Sequence, residues 1–443
     1  MLKFLEIVDA WIWGPPLLFL LMGTGLYLTI RLGFLQLRKL PKAIRLIFKA
    51  DNVGHGDVSS FAALCTALAA TVGTGNIVGV ATAVKAGGPG ALFWMWVAGL
   101  LGMATKYAEG VLAIKYRQVN ADGSISGGPM YYITRGLGEK WRPLAIFFSL
   151  AGLSVAFFGM GTFTQVNAIT GALQGSFNWS PTIMAPLLAI LVAIITFGGI
   201  QSISKVSTKV IPFMALFYLL ASLWIVVLNW QKMPEVLAMI FEGAFTPMAA
   251  LGGFAGSTLR TAMQNGVARG VFSNESGMGS APIAAAAAKT EWPAEQGLIS
   301  MTGTFIDTIV ICSLTGIVLL LTGVWSGDAA GAAMTQAAFN TTMPGIGPLI
   351  LTLSLTLFAF TTILGWSYYG ERCFEFIFGR KNIVVFRVLF VLMVGLGGFL
   401  ELDLVWVLAD ICNALMVFPN LIAVLGLSPV IIAETKRYLD HLE

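Results

Sequence analysis

The stretch ATVGTGNIVGVATAVK, residues 70–85, decides how this chain folds. It lies in a run apolar enough to cross a membrane, yet it carries three glycines and an asparagine within seven positions. The core of a bilayer offers no water to backbone N–H and C=O groups, so unwound chain persists there only where protein or a small cavity satisfies those groups. The stretch therefore predicts a membrane helix that is interrupted at a functional site.

The composition of the whole chain places it in a membrane. Of the 443 residues, 57% are hydrophobic and 11% are charged, and the mean hydropathy is +0.83. A soluble domain could not bury that much apolar surface in one core. We predict an all-α integral membrane protein, because apolar runs long enough to span about 30 Å of hydrocarbon recur along the chain. The eleven predicted transmembrane helices are 11–31, 58–84, 90–116, 143–173, 181–199, 207–229, 257–288, 298–324, 347–378, 383–400 and 403–433.

The basic residues indicate the orientation of these helices. If the N-terminus lies outside, most of the 26 Lys and Arg residues fall in segments that face the cytoplasm, and an odd number of crossings leaves the C-terminus inside. The first span begins after Lys3 without a small-residue cleavage pattern, so we predict a retained helix rather than a signal peptide. We expect a multi-pass protein of the plasma (cytoplasmic) membrane, in contact with lipid. The net charge of +4 reflects this topology rather than affinity for nucleic acid.

A weak internal repeat indicates how the helices are organised. A shift of 204 residues lays GTGNIVGVATAVK (73–85) over GMGSAPIAAAAAK (277–289), with five identical positions in thirteen. Chance similarity between two Gly/Ala-rich segments is the alternative explanation. Five crossings separate the segments, so they run in opposite directions, as in the inverted repeats of secondary transporters whose sites form at interrupted helices. The predicted parts are an N-terminal helix with a basic cytoplasmic loop (1–56), a first five-helix repeat (57–230), an external connection (231–256), a second, inverted five-helix repeat (257–434) and a cytoplasmic tail (435–443).

The second interruption, FSNESGMGSAP (272–282), is more polar than the first. A carboxylate at this depth, here Glu275, must be paired, protonated or facing water, and by default it marks a functional site. The alternative is that Glu275 only neutralises Arg269 or Arg260 where helices pack. Two further intramembrane acids, Asp307 and Asp410, are interpreted as polar contacts between helices. In span four, one helical face is predicted to carry Ser154, Phe158, Gly161 and Gln165.

Several motifs resemble those of one known family. The motifs are GGPGALFWMWVAGLLG (87–102), GTGN (73–76), GGPMYYI (127–133) and NESGMGSAPIAAAAA (274–288). They resemble the alanine or glycine:cation symporter family, within the amino acid–polyamine–organocation superfamily, and the resemblance covers essentially the whole chain. It implies sodium-driven uptake of alanine or glycine by alternating access, through a leucine-transporter-like fold with one extra N-terminal helix. Sodium is then co-transported, and no organic cofactor is implied.

The resemblance also implies a sodium site. AATVGTGN (69–76) is similar to the A-N-A-V-G-L-G-N type of run in sodium:neurotransmitter symporters, which places the unwound segment at 72–76. FAFTTILGW (358–366) is similar to the segment whose hydroxyl pair completes a sodium site in those proteins. The implied sodium ligands are the hydroxyls of Thr361 and Thr362 and the backbone carbonyls of Ala69, Val72 and Phe358.

A zwitterionic amino acid needs partners for both of its charges, and broken helices provide them. A half-helix that begins near Gly75 exposes free N–H groups and the positive end of its dipole, which suits a carboxylate. Half-helices that end near Thr71 and Asn274 expose carbonyl oxygens, which suit ammonium or sodium. The bulk of Met278 and Trp366 favours a small side chain on the substrate, and Gln165 either binds substrate or a neighbouring helix. The predicted substrate-binding residues are Thr71, Gly73, Thr74, Gly75, Asn76, Gln165, Asn274, Ser276, Gly277, Met278 and Trp366.

Other functions fit the sequence less well. The chain has two histidines and lacks the H-E-x-x-H and G-x-S-x-G motifs, so we predict no enzymatic activity. A channel differs from a carrier in transport behaviour, which only an uptake measurement separates. The closest alternative is a proton-coupled carrier of small neutral amino acids in which Glu275 or Asp307 carries the proton. The oligomeric state is left open.

Overall fold

The computed structural model describes residues 2–48, 54–246, 259–399 and 402–442. These residues are almost entirely helical, apart from a short antiparallel hairpin of β1 (Gln118–Val119) and β2 (Ile125–Ser126), which pairs Gln118 with Ser126. The α-helices, α1 to α22 in chain order, are Leu2–Ile12, Pro15–Arg31, Leu35–Arg38, Leu40–Ile47, Ser60–Thr71, Val80–Gly87, Gly90–Lys115, Pro129–Tyr132, Arg142–Phe158, Phe163–Phe177, Pro181–Thr196, Gly199–Leu228, Met233–Phe245, Leu259–Asn274, Ala281–Ala285, Pro293–Thr304, Ser313–Leu321, Gly331–Thr342, Ile346–Phe378, Ile383–Leu396, Leu402–Gly426 and Ser428–Leu442. The π-helices are Gly75–Gly79, Ile133–Leu137 and Phe305–Cys312, and the 3₁₀-helices are Glu139–Trp141, Trp230–Lys232, Val324–Ser326, Arg380–Asn382 and Gly397–Phe399.

In the described residues, eight helices are long and apolar enough to span a membrane, or nine if one bent pair counts as a span. The eight are Lys3–Arg31, Gly90–Lys115, Glu139–Phe177, Gly199–Leu228, Pro293–Leu321, Ile346–Phe378, Arg380–Phe399 and Trp406–Gly426. The predicted span 181–199 corresponds to α11, an apolar helix of 16 residues. The predicted span 257–288 corresponds to α14 and α15, with residues 257–258 outside the described part. The predicted connection 231–256 is described as far as residue 246 and contains α13.

Two predicted helices differ in detail from the structure. The sequence predicts the first helix over 11–31, but the structure has two helices here, α1 from Leu2 and α2 to Arg31. A short turn separates them, and Pro15 and Pro16 occupy the first positions of α2. Span four was predicted as one continuous face, and this is wrong. The helix is interrupted between α9 and α10. On α9, Ser154 donates to the Leu150 carbonyl of its own helix and Phe158 is exposed, whereas Gly161 and Gln165, beyond α9, are buried.

Both predicted interruptions are confirmed. α5 ends at Thr71, the chain resumes at Gly75 as a π-helix, and the two halves of this span are bent by 52°. α14 ends at Asn274, and α15 begins only at Ala281. The intervening turn needs positive φ angles, 87° at Gly277 and 79° at Gly279. Glycine adopts these angles without steric cost, which explains why the glycines lie at these positions.

The broken helices are held in place by long helices around them. α7 is buried along most of its length and packs against α14 and α16, whereas α5 packs against α12 and α19. Helices in a membrane approach closely where small residues line their contact. Gly102 of α7 illustrates this, because a Cβ there would lie 2.9 Å from the side chain of Ser276. The outer helices α12 and α20 bury little of their surface and present apolar side chains to the surroundings, as lipid contact requires.

Candidate functional site

The two interruptions meet inside the molecule, where α14 contacts the π-helix Gly75–Gly79. A Cβ placed on Gly75 would lie 3.0 Å from the Cα of Ser273, so glycine allows one broken helix to touch the backbone of the other. The structure buries every residue predicted to bind substrate or sodium. These residues are Ala69, Thr71, Val72, Gly73, Thr74, Gly75, Asn76, Gln165, Asn274, Ser276, Gly277, Met278, Phe358, Thr361, Thr362 and Trp366.

A network of side chains braces the first interruption. The backbone N–H of Gly73 donates to Oδ1 of Asn76 at 2.9 Å. Gln165, near the start of α10, accepts from the N–H of Thr74 at 3.4 Å and donates to its hydroxyl at 3.1 Å. Its amide also donates to the carbonyl of Met160, in the break that precedes α10. The unpredicted break in span four therefore brings Gln165 against the first interruption.

The predicted hydroxyl pair lies on α19 beside the same interruption. Thr362 Oγ1 lies 3.4 Å from the carbonyl oxygen of Val72 and 3.0 Å from that of Phe358. A Cβ on Gly73 would approach this hydroxyl to 2.4 Å. Thr361 Oγ1 donates to the Phe358 carbonyl at 3.0 Å. Hydroxyl and carbonyl oxygens thus gather at the end of α5, and these are the ligands that hard cations prefer.

The second interruption is stabilised by α16 and the π-helix that follows it. The Asn274 amide donates to the Thr308 hydroxyl at 2.9 Å, and its Oδ1 accepts from the N–H of Ser276 at 2.8 Å. The Ser276 and Thr304 hydroxyls are 2.9 Å apart. Gly277 faces elsewhere, because a Cβ there would meet Leu21 of α2.

Asp307 links the two interruptions. Its carboxylate accepts from the amide of Asn76 at 2.7 Å and from the Ser273 hydroxyl at 2.9 Å and 3.1 Å. The Thr308 hydroxyl donates to the same carboxylate. The prediction that Asp307 makes polar contacts between helices is confirmed, and those helices are the two broken ones.

The partners of Glu275 settle one alternative from the sequence. Its carboxylate accepts from the indole N–H of Trp366 at 3.0 Å and from the Ser280 hydroxyl at 2.5 Å. Arg269 instead forms a bidentate ion pair with Asp410, at 3.0 Å and 2.7 Å. The hypothesis that Arg269 neutralises Glu275 is therefore wrong, and the predicted interhelical role of Asp410 is confirmed.

Sequence reasoning missed two charged residues of α7 that hold the second interruption. Lys106 is buried and donates from Nζ to the Asn274 carbonyl at 2.7 Å, at the negative end of α14. Glu109 accepts from the N–H of Gly277 at 3.1 Å and from the Asn420 amide at 2.6 Å. The signal was visible, because a lysine and a glutamate three residues apart in an otherwise apolar span are costly unless they are used.

Comparison with known proteins identifies the family of this chain. The model of the sodium:alanine symporter family matches residues 1–443. The chain belongs to this family. An uncharacterized transporter of Haemophilus influenzae is 58% identical over 441 residues, which cover 99% of this chain and 96% of the relative. The sodium/alanine symporter AgcS of Methanococcus maripaludis is 49% identical over 439 residues, covering 97% and 96%.

Among solved structures, MhsT in complex with L-phenylalanine is similar, with a TM-score of 0.61 over 86% of this chain and 93% of MhsT. The sequence identity is 15%, so this likeness concerns the fold alone. Membership of the sodium:alanine symporter family confirms the resemblance identified from the motifs. It also makes the chain a multi-pass membrane transporter of the symporter type.

Proposed function

We propose that this protein takes up alanine, glycine or both, driven by a sodium gradient, through alternating access. The observation that carries the proposal is the meeting of two helix interruptions at a buried centre, with Thr362 against the first of them. Family membership and the name of the Methanococcus maripaludis relative support the choice of sodium and alanine.

The substrate is proposed to bind by its two charges. Its carboxylate lies against the start of the half-helix near Gly75 and Asn76, where the helix dipole is positive. Its ammonium lies against the carbonyl oxygens at the ends of α5 and α14. The buried bulk of Met278 and Trp366 restricts the side chain to a small one.

Sodium is proposed to bind between α5 and α19, held by the carbonyls of Ala69, Val72 and Phe358 and the hydroxyls of Thr361 and Thr362. The energetics allow one ion per substrate. One charge moving down 100 mV releases about 2.3 kcal/mol, and a tenfold gradient adds about 1.4 kcal/mol. A neutral zwitterion moves no net charge, so these terms sustain a substrate gradient of several hundredfold, by the rule of about 1.4 kcal/mol per tenfold.

We further propose eleven crossings of the plasma membrane, with the N-terminus outside and the C-terminus inside. The units 57–230 and 257–434 form the inverted five-helix repeats, flanked by 1–56, the connection 231–256 and the tail 435–443. The opposite directions of α5 and α14 in this topology, and the equivalent interruption of each, support the repeat.

A proton-coupled carrier is the second candidate. Three buried carboxylates, Glu109, Glu275 and Asp307, lie within electrostatic range of a single buried lysine, Lys106. Among the described residues, Oε2 of Glu109 has no hydrogen-bond partner. Excess negative charge is costly in a medium that excludes water, and bound protons would relieve it.

Uptake into liposomes distinguishes the two candidates. Purified protein is reconstituted, and labelled alanine uptake is followed with a sodium gradient or a proton gradient imposed alone. We expect alanine to accumulate when an inward sodium gradient is imposed at equal pH on both sides. We expect no accumulation when a proton gradient is imposed in sodium-free buffer. Accumulation that follows protons alone would establish the second candidate instead. Passive flux without accumulation under either gradient would contradict both.

A further inference from the structure

A polar cavity lies outside the site formed by the broken helices. It has a volume of about 180 Å³ and is bounded by α1, α14 and α21. Its polar lining consists of Asp9, Trp13, Gln264, Asn265, Arg269 and Asp410. A volume of about 10–15 Å³ on this measure holds one water molecule, so the cavity has room for several water-sized groups. That is the size of a small amino acid.

One side of the cavity carries a fixed positive group. The guanidinium of Arg269 is held by both oxygens of Asp410, at 3.0 Å and 2.7 Å. The backbone of Asp410 is anchored in turn, because its carbonyl accepts from the indole N–H of Trp13 at 3.1 Å. A guanidinium has five N–H donors, so the pair with Asp410 leaves others for a second acceptor.

The other side carries the carboxylate of Asp9. Oδ1 of Asp9 is shielded from solvent and has no hydrogen-bond partner among the residues that the structure describes. Asp9 lies within electrostatic range of both Arg269 and Asp410. A buried acceptor left without a donor costs free energy, so a ligand that brings a donor to Asp9 is stabilised there.

We propose that this cavity is a second binding site for a zwitterionic small amino acid, occupied before the substrate reaches the broken helices. The ligand carboxylate binds the remaining N–H groups of Arg269, and its ammonium binds Asp9. This inference rests on the proposed function for the identity of the substrate. It assigns a role to α1, which lies outside the proposed repeats and contributes Asp9, and to Trp13, which follows α1 directly.

The cavity lies on α14, close to the site formed by the broken helices, so a substrate could bind there first. Arg269 precedes Asn274 by five residues, which is about 7.5 Å along a helix axis. The guanidinium lies over the ring of Phe272 at 5.6 Å, and that ring packs against Trp406 with centroids 5.5 Å apart. In the proposed topology the cavity lies toward the outside.

The test uses full-length protein in liposomes and labelled alanine, measuring both equilibrium binding and sodium-driven uptake. We expect two classes of binding site in the wild type, a tighter one at the broken helices and a weaker one in the cavity. Asp9→Asn should remove the weaker class and raise the KM for uptake about tenfold, the value of one charge-assisted hydrogen bond. It should leave the tighter class intact, which also shows that the variant is folded. Asp9→Glu should restore the weaker class.

Three comparisons make the result specific. Asp328→Asn, which changes an exposed acid in a loop away from the cavity, should behave as wild type. Gly75→Val should lose the tighter class and keep the weaker one. In a competition measurement, ethylamine should displace alanine from the weaker class far less well than glycine does. The inference is overturned if Asp9→Asn matches Asp328→Asn, or if ethylamine competes as well as glycine. Failure of the proposed function is a separate result, namely a wild type that shows no sodium-driven alanine uptake.

Discussion

Gly75→Val should reduce sodium-driven alanine uptake to background in a protein that still folds. The Cβ of any side chain at this position would lie 3.0 Å from Cα and 3.2 Å from Cβ of Ser273. The first of these atoms is backbone and cannot rotate away, so valine must push the two broken helices apart. Overpacking of this kind costs roughly 1–3 kcal/mol. Tight alanine binding should therefore weaken by up to about a hundredfold, as measured by equilibrium binding to the purified protein.

The matched control for this variant is Gly79→Val. Gly79 belongs to the same π-helix, but a Cβ there would meet nothing within 4 Å. This variant should retain most of its uptake, and both proteins should elute from a sizing column as the wild type does. Tight alanine binding of wild-type strength in Gly75→Val would refute the argument that the substrate needs a close approach of the two helices.

Replacing Thr361 and Thr362 together with alanine should raise the sodium concentration for half-maximal uptake at least tenfold. Each hydroxyl removed takes away one oxygen ligand, and a hydrogen-bonding group that faces a charge contributes about 1.5–3 kcal/mol. The two hydroxyls should not contribute equally to sodium binding. Only Thr362 reaches the carbonyl of Val72 in the interruption, whereas Thr361 faces Met214. Thr362→Ala alone should therefore have the larger effect, measured as uptake rate against sodium concentration at saturating alanine.

Serine at both positions keeps the oxygen atoms and should preserve the sodium dependence. Thr322→Ala is a control for the loss of a helix-bonded threonine, because its hydroxyl donates to the Val318 carbonyl of its own helix. A double alanine variant whose sodium dependence equals that of the wild type would remove these two residues from the ion site.

The positions of the two interruptions could be predicted from the sequence because the cause is local. Unwinding a membrane helix requires residues that tolerate unusual backbone angles, and glycines at 277 and 279 adopt positive φ angles where the prediction placed the break. The start of the half-helix at Gly75 and the end of α14 at Asn274 also follow from the residues at hand. Local sequence was enough for these features.

The partners of the charged residues could not be predicted in the same way. Arg269 finds Asp410 across 141 positions, and Lys106 finds Asn274 across 168. Helical periodicity gives the face on which a side chain lies, but not which other helix will face it. The sequence therefore offered Arg269 or Arg260, in the same predicted span, only as alternative partners of Glu275, and it did not identify Asp410 as the partner of Arg269. It also missed that Glu109 satisfies the backbone of the second interruption.

The most direct test of the central claim is an experimental structure of the protein in lipid, determined with alanine and sodium. We expect the alanine carboxylate against the start of the half-helix at Gly75, its ammonium at the carbonyl ends of α5 and α14, and sodium between Val72 and Thr362. Continuous helix through 71–76 and 274–279 facing lipid, or alanine bound away from both interruptions, would contradict the account.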